Sequence, residues 1–217
     1  MFKFSSNEIR DLIISFFVIS LAFSIIKSRD PMFYQGDDIS TIIYILPMVM
    51  IGVGLGFILH EIAHKIAAMR YGHWAEFKTW PLGLIMALVS PLIGFIFAAP
   101  GAVYIYGNYI TDRENGIISL MGPLTNIVLA IIFIILLYIV TATSSITGMI
   151  QDQGLIDILE KTFEFGLFIN SFLALFNLIP FSILDGAKIF RWNPLIWLAI
   201  AALAGIMVFF SFTGLPF

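Results

Sequence analysis

The stretch ISTIIYILPMVMIGVGLGFILHEIAHKIAAMRYG, residues 39–72, decides the fold of this chain. Its first part, residues 39–59, carries no charged side chain. A helix needs about 20 apolar residues to cross the hydrocarbon core of a bilayer, so this run predicts a transmembrane helix. His60, Glu61 and His64 follow directly, among neighbours that are almost all apolar. The stretch therefore predicts a membrane helix that also carries polar chemistry.

The composition of the chain indicates that the other apolar runs also lie in a membrane. Of its 217 residues, 60% are hydrophobic and 12% are charged, whereas soluble domains carry about 25% charged residues. We predict a membrane all-α fold, a polytopic bundle of about six transmembrane helices forming one domain over residues 1–217. The predicted spans are 12–26, 39–59, 81–99, 117–140, 163–179 and 194–212. Whether 81–99, which contains Pro91 and Gly94, crosses the membrane or re-enters it stays open.

Net charge and cysteine content narrow the range of partners. The net charge is −3 and no cluster of Lys and Arg stands out, so we expect no nucleic-acid partner. The absence of cysteine excludes disulfides, thiolate metal sites and a cysteine nucleophile. We expect a multi-pass protein of the cell membrane, surrounded by the lipid bilayer. Its orientation stays open because basic residues fall on both sides of the predicted bundle, and its oligomeric state stays open too.

His60 and His64 are four residues apart, which is about one helical turn. Both imidazoles therefore project from one face and can ligate one metal ion, while Glu61 can act as general base on a water molecule that the metal activates. This zincin pattern predicts one Zn²⁺ per chain and hydrolysis of an amide without a nucleophilic side chain. The alternative is that the three side chains only hydrogen-bond between buried helices.

The helix that carries the pair is predicted to run on through Arg70 to Gly72, which can cap its C-terminus. We expect Arg70 to reach the membrane interface. With a rise of about 1.5 Å per residue, His64 would lie about 9 Å and His60 about 15 Å inside the level of Arg70. His73 lies beyond the cap, at a spacing that does not fit the third histidine of extended zincin motifs. We interpret His73 as an interfacial residue.

A catalytic zinc site usually has three protein ligands and one open position. Most other acidic residues lie in polar stretches, whereas Asp185 follows a break that Pro180 can introduce after an apolar run. Polar backbone at such a break can face a cavity. A dipositive ion held by two neutral imidazoles favours a carboxylate, so Asp185 is the predicted third ligand. The alternative needs no metal: Ser182 caps a helix, and Asp185 completes a capping box.

The two segments together resemble the site-2 protease family of intramembrane zinc metalloproteases, peptidase family M50. Its members pair H-E-x-x-H on one transmembrane helix with N-x-x-P-x-x-x-x-D-G on another. Asn177, Pro180, Asp185 and Gly186 stand at that spacing. The sequence GPLTN at residues 122–126 is similar to a further family element.

The resemblance implies a role for each matched polar residue. The zinc ligands would be His60, His64 and Asp185, and Glu61 would be the general base. Asn177 would help to hold the scissile carbonyl or its oxyanion, as an amide donor can; the alternative is a hydrogen bond between helices. The same two readings apply to Asn126, where the hydrogen bond between helices is favoured.

The implied activity is hydrolysis of a peptide bond within or near a transmembrane segment of another membrane protein. A β-hairpin is predicted from residues 102–107 and 117–120, joined by a polar turn at 112–116. A helical substrate must unwind before hydrolysis, and the edge of strand 102–107 could hold it by β-augmentation. The alternatives are a non-catalytic metal-binding membrane scaffold and a metal transporter. Glu61 argues against the scaffold, and the concentration of polar residues in one place argues against transport.

Overall fold

The structure is a computed structural model that describes residues 3–30, 38–97, 99–107, 109–143, 152–181 and 183–213. Within these ranges the chain forms α-helices and one small antiparallel sheet. In chain order the elements are α1 (Ser6–Lys27), α2 (Asp38–Val49), α3 (Leu55–Arg70), β1 (Trp74–Thr79), α4 (Pro81–Val89), β2 (Gly101–Tyr106), α5 (Asp112–Ala142), α6 (Gln153–Asn177), α7 (Asp185–Trp192) and α8 (Pro194–Thr213). A π-helical turn, Met50–Gly54, joins α2 to α3, and a 3-10 turn, Ser90–Ile93, follows α4.

In the described part of the chain, 4 helical segments are long and apolar enough to cross a membrane. They are α1, the continuous helix Asp38–Arg70 that contains α2 and α3, then α5 and α8. The predicted span at 163–179 lies almost entirely in α6, whose first half carries the charged residues Asp157, Glu160, Lys161 and Glu164. The helical membrane fold is therefore confirmed, but the predicted count of six crossings is not.

The described part of segment 81–99 contains no helix long enough to confirm a crossing of the membrane. Its helical part, Pro81–Ile93, is about 20 Å long at the usual helical rise, less than the ~30 Å of a hydrocarbon core. The two ends of the segment are also joined, because Trp80 N–H donates to the Pro100 carbonyl at 2.8 Å. Gly94, with φ of 93°, ends the 3-10 turn. Residues that are hydrogen-bonded to each other are neighbours in space, so the chain enters and leaves this segment at the same place in the molecule.

The predicted hairpin is correct in its first strand and wrong in its second. β2 covers most of the predicted strand 102–107, but it pairs with β1, in antiparallel register from Trp74 opposite Tyr106 to Thr79 opposite Gly101. Residues 117–120 belong to α5. The reason is a capping box at the predicted turn: Glu114 N–H donates to Thr111 Oγ1 at 3.2 Å, and Thr111 N–H donates to Glu114 Oε2 at 2.9 Å. This polar sequence starts a helix instead of reversing a strand.

Three apolar clusters form the core, and the two larger ones join the helices of the bundle. The first joins the N-terminal helices to α6 and includes the buried residues Ile45 and Ile169. The second joins α5, α6, α7 and α8 and includes Ile127 and Ile189. Helix α5 packs against α3, α6 and α7. Because α5 contacts both α3 and α7, it brings the histidine helix and the start of α7 together.

Candidate metal centre

Helices α3 and α7 bring two histidines and one carboxylate to a single point. His60 Nε2 and His64 Nε2 are 3.0 Å apart. Asp185 Oδ2 lies 3.4 Å from His60 Nε2 and 3.1 Å from His64 Nε2. All three residues are buried, with exposed fractions of 6%, 8% and 8%. The three side chains that the sequence predicts as ligands therefore form one group that could hold a metal ion.

The second ring nitrogen of each histidine is held by an oxygen atom. His64 Nδ1 lies 2.8 Å from the Ile118 carbonyl oxygen, and His60 Nδ1 lies 2.6 Å from Asn126 Oδ1. A carbonyl can only accept, so His64 carries a proton on Nδ1, and in the neutral imidazole the lone pair of Nε2 is left to bind a metal ion. Histidines that bind metals are usually held in this way. Two nitrogens and one carboxylate oxygen are a donor set that fits zinc.

Gly122 of α5 has no side chain, and this keeps the space in front of the His60 and His64 imidazoles open. A Cβ built on Gly122 would lie 2.5 Å from His60 Nε2 and 2.6 Å from His60 Cε1, and nearest of all to His64 Nε2. Any side chain at this position would therefore occupy the space that a metal ion needs. Asn126, one turn further along α5, contacts His60 from the other side. The GPLTN sequence thus lies directly against the candidate centre.

Glu61 connects α3 to the outer edge of β2. Its Oε2 accepts the Val103 N–H at 3.2 Å. Val103 is opposite Phe77 in the sheet, and the Phe77 N–H points away from β2 to Glu8 Oε1 at 3.0 Å. The two strands therefore do not exchange hydrogen bonds at this pair, and the Val103 N–H faces outwards. The predicted general base lies one residue from His60 and contacts the edge of β2 that pairs with no other strand among the described residues.

Asp185 is the first residue of α7, where the helix dipole favours a negative charge. Ser182, its partner in the capping-box alternative, lies outside the described residues. A Cβ built on Gly186 would lie 2.7 Å from the Ile179 carbonyl oxygen, so this glycine lets α7 begin close to the end of α6. Lys188 Nζ lies 3.5 Å from Asp185 Oδ1. Asp185 therefore provides a buried carboxylate, and Gly186 allows the start of α7 to lie close to the end of α6.

Two other predicted residues stand apart from the cluster. Asn177, the last residue of α6, donates from Nδ2 to the Leu173 carbonyl at 2.9 Å, and within the described residues no contact joins it to the histidines. His73 follows the end of α3, where Gly72 has φ of 81° and the His73 N–H donates to the Ala68 carbonyl at 3.1 Å. The helix end predicted at Gly72 is therefore confirmed, and the metal-binding group found in the described part does not include His73.

Two groups that help to position the histidines, one directly and one through Asn126, are missing from the sequence prediction. The Ile118 carbonyl belongs to the backbone, which no pattern of side chains reveals. Asn170 of α6 is fully buried, and its Oδ1 accepts from Asn126 Nδ2 at 3.0 Å. A signal for Asn170 did exist, because an amide in the middle of a predicted membrane span is costly and marks a candidate functional position.

A buried group of two histidines and a carboxylate, with a glutamate beside the first histidine, is the arrangement that a metallopeptidase centre requires, here in a bundle of apolar helices. The sequence model of the family described as "Peptidase family M50" matches residues 48–197. This chain belongs to peptidase family M50.

Relatives from three organisms are similar to the chain, and each has a provisional name as a zinc metalloprotease. The Methanocaldococcus jannaschii protein is 41% identical over 214 residues, which are 98% of each chain. The Bacillus subtilis protein is 30% identical over 157 residues, 67% of this chain and 68% of its own length. The Mycolicibacterium smegmatis protein is 31% identical over 114 residues, 45% of this chain and 43% of its own length. No solved structure matches significantly.

Proposed function

We propose that this chain is an intramembrane zinc metalloendopeptidase that hydrolyses peptide bonds within or near transmembrane segments of other membrane proteins. The observation that carries the proposal is the position of the candidate metal centre. His60 and His64 lie in the continuous apolar helix Asp38–Arg70, and both are buried together with Asp185. Because these residues are buried among the helices, the peptide bond of a substrate would have to reach them from inside the helical bundle. A membrane-embedded substrate, presented in the bilayer of the cell membrane, meets that requirement.

The chain's own residues would hold the ion and transfer the proton. His60, His64 and Asp185 would bind the zinc, which when bound acts as a Lewis acid and acidifies water. Glu61 would take a proton at its carboxylate as water attacks the carbonyl carbon, and would return it to the amine nitrogen when the C–N bond breaks. One amide N–H of Asn177 donates to the Leu173 carbonyl, and its second N–H would donate to the substrate carbonyl or its oxyanion.

The outer edge of β2 would hold the substrate in an extended conformation. The inner edge of β2 is paired with β1, whereas the Val103 N–H faces outwards to Glu61. Because N–H groups alternate in direction along an antiparallel strand, the Ile105 N–H faces the same side. An unwound substrate segment that pairs with this edge lies beside the proposed general base.

The proposal is tested by measuring zinc content and cleavage on the same purified protein. In detergent, Glu61→Gln should keep the zinc content of the native chain and lose cleavage of a model transmembrane substrate by at least about 100-fold. Glu160→Gln, in the first half of α6, is the matched control and should cleave like the native chain. Equal cleavage by Glu61→Gln would contradict the mechanism. Zinc uptake into sealed vesicles without any cleavage would favour the transporter alternative.

A further inference from the structure

A chain of amide hydrogen bonds leads from His60 into the middle of the bundle. Asn126 Oδ1 contacts His60 Nδ1 at 2.6 Å, and Asn126 Nδ2 donates to Asn170 Oδ1 at 3.0 Å and to the Gly56 carbonyl at 3.2 Å. Both asparagines are fully buried. We name these two residues the amide relay. It crosses from α3 through α5 to α6.

The far end of the relay is fixed by the backbone. Asn170 Nδ2 donates to the Gly52 carbonyl at 3.0 Å and to the Gly166 carbonyl at 2.8 Å. Carbonyl oxygens only accept hydrogen bonds, so the Asn170 amide group cannot be turned over without placing its oxygen against both of them. Its Oδ1 must therefore face Asn126.

The same argument sets the orientation of Asn126 and then of His60. Asn126 Nδ2 faces two acceptors, Asn170 Oδ1 and the Gly56 carbonyl, so Asn126 Oδ1 must face His60. An amide oxygen only accepts, and His60 must donate from Nδ1. The proton of a neutral His60 is then on Nδ1, and the lone pair of Nε2 is directed to the candidate metal centre.

The local backbone makes room for the relay. Gly52 lies in the π-helical turn Met50–Gly54, and π-helical turns in α-helices are frequent at functional sites because they change the usual backbone pairing. A Cβ on Gly52 would lie 3.2 Å from Gly166 Cα, and a Cβ on Gly56 would lie 2.5 Å from Asn170 Oδ1. The glycines therefore allow α6 to approach closely enough for Asn170 to reach both Gly52 and Asn126.

We infer that Asn170 is a positioning residue for the zinc site: acting through Asn126, it fixes the tautomer of His60 and keeps Nε2 open to the metal. Asn170 contacts Asn126 and backbone carbonyls, and its effect on the ion passes through His60. The inference rests on the proposed function in one respect, that the bound ion is zinc. The alternative is that the asparagines only hold the helices together.

The tautomer can be observed directly because the chain has only 3 histidines. After labelling of histidine with nitrogen-15, an NMR spectrum of the zinc-loaded chain in detergent contains signals from only three imidazole rings. We expect His60 to show a proton on Nδ1 and metal coordination at Nε2. A proton on His60 Nε2, or coordination through Nδ1, would overturn the inference without any substitution being made.

Two variants then separate positioning from packing. Asn170→Ala removes the relay, and Asn170→Asp keeps the size of the side chain and its Oδ1 but cannot donate to the Gly52 and Gly166 carbonyls. Each should raise the zinc dissociation constant by at least about tenfold, as loss of groups that orient metal ligands does, and should weaken or split the His60 Nδ1–H signal. Ser171→Ala is the matched control, since Ser171 is the next residue of α6, is fully buried and has no hydrogen-bond partner for its hydroxyl among the described residues.

Zinc affinity is measured by stripping the purified chain with a chelator and titrating zinc against an indicator dye. The inference is overturned if both Asn170 variants fold and match Ser171→Ala in zinc affinity and in the His60 signal. No substrate is used, so this result is independent of cleavage. A failure here would leave the protease proposal intact, and a failure of Glu61→Gln to lose cleavage would leave the relay intact.

Discussion

Gly122 faces both imidazoles from α5, and its replacement tests the space that they enclose. In a helix with free space, Gly→Ala stabilises by about 0.5–1 kcal/mol. At Gly122 the new methyl group would instead lie against His60 Nε2 and His64 Nε2, so we expect Gly122→Ala to lower zinc occupancy severely. Metal analysis of the purified protein measures the effect.

The control for this substitution is Gly205→Ala. Gly205 lies in α8, and a Cβ built there meets no atom within 4 Å. This variant should bind zinc like the native chain. If Gly122→Ala also retained full zinc occupancy, the metal would have to lie elsewhere than between these imidazoles.

At the scale of residues, the sequence predicts the atoms that would bind the metal better than the atoms that hold them. His60 and His64 are one turn apart on one helix, so their shared face follows from spacing alone. Asp185 is more than a hundred positions away, and only its unusual setting after Pro180 identifies it. Ile118 and Asn170 could not be assigned, because a backbone carbonyl carries no sequence signal and the partner of a buried amide depends on how three helices pack.

Among the elements, α1 is attached to α3 and β1 by buried charged groups. Lys65 Nζ pairs with Glu8 Oε2, and both residues are 1% exposed. Lys65→Met would leave the Glu8 charge buried without a partner, at a cost of about 3–5 kcal/mol in the free energy of unfolding. Thermal unfolding in detergent should show a large loss for Lys65→Met and a partial recovery when Glu8→Gln is added.

Lys161→Met provides the comparison for the buried pair. Lys161 forms an exposed i,i+4 pair with Asp157 at 2.9 Å, and pairs of this kind contribute only about 0.3–0.5 kcal/mol. Lys65→Met should therefore unfold at a clearly lower temperature than Lys161→Met. Equal unfolding temperatures would mean that the Glu8–Lys65 pair does not hold α1 in place.

The outer edge of β2 is tested by a proline that removes one outward N–H group. Ile105→Pro leaves the hydrogen bonds between β1 and β2 in place, since the Ile105 N–H faces away from β1. We expect it to lower the rate of cleavage of a helical transmembrane substrate, with Ile105→Ala as the control for loss of the side chain. If the two variants cleave equally fast, the substrate does not dock on this edge.

The elements also show why part of the sheet could not be predicted. The alternation of residues in β2 is a local pattern, and it predicted the strand. The apolar segment 81–99 separates β1 from β2 in the sequence, and no local pattern specifies that these two strands pair. The predicted turn failed because Thr111 and Glu114 match a helix start equally well, and in the structure they form both hydrogen bonds of a capping box.

For the whole molecule, we predict that segment 81–99 starts and ends on the same side of the membrane, and labelling tests this prediction. The chain contains no cysteine, so single cysteines can be introduced at Lys78 and Ala102, which are opposite each other in the sheet and are both exposed. We expect a membrane-impermeant thiol reagent to label both from the same side of sealed vesicles. Cysteines at Arg113 and Thr141, near the two ends of α5, should be labelled from opposite sides.

Labelling of Lys78→Cys and Ala102→Cys from opposite sides would show that the segment crosses. The sequence could not decide this point, because hydropathy measures how apolar a run is and not where its ends lie. The hydrogen bond between Trp80 and Pro100 shows that the two ends of the segment are close together. This hydrogen bond forms because the flanking strands β1 and β2 pair. The composition of the chain is enough to identify a membrane protein. The number of transmembrane crossings, however, depends on the tertiary structure.

The most direct test of the central claim is to locate the bond that the chain cuts. Purified protein and a single-span substrate are placed together in lipid vesicles, and the products are identified by mass spectrometry. The account predicts a cut inside the apolar segment, no product from Glu61→Gln, and loss of cleavage on zinc removal that is reversed when zinc is returned. Cleavage confined to the water-exposed flanks of the substrate, or cleavage that continues unchanged without zinc, would contradict it.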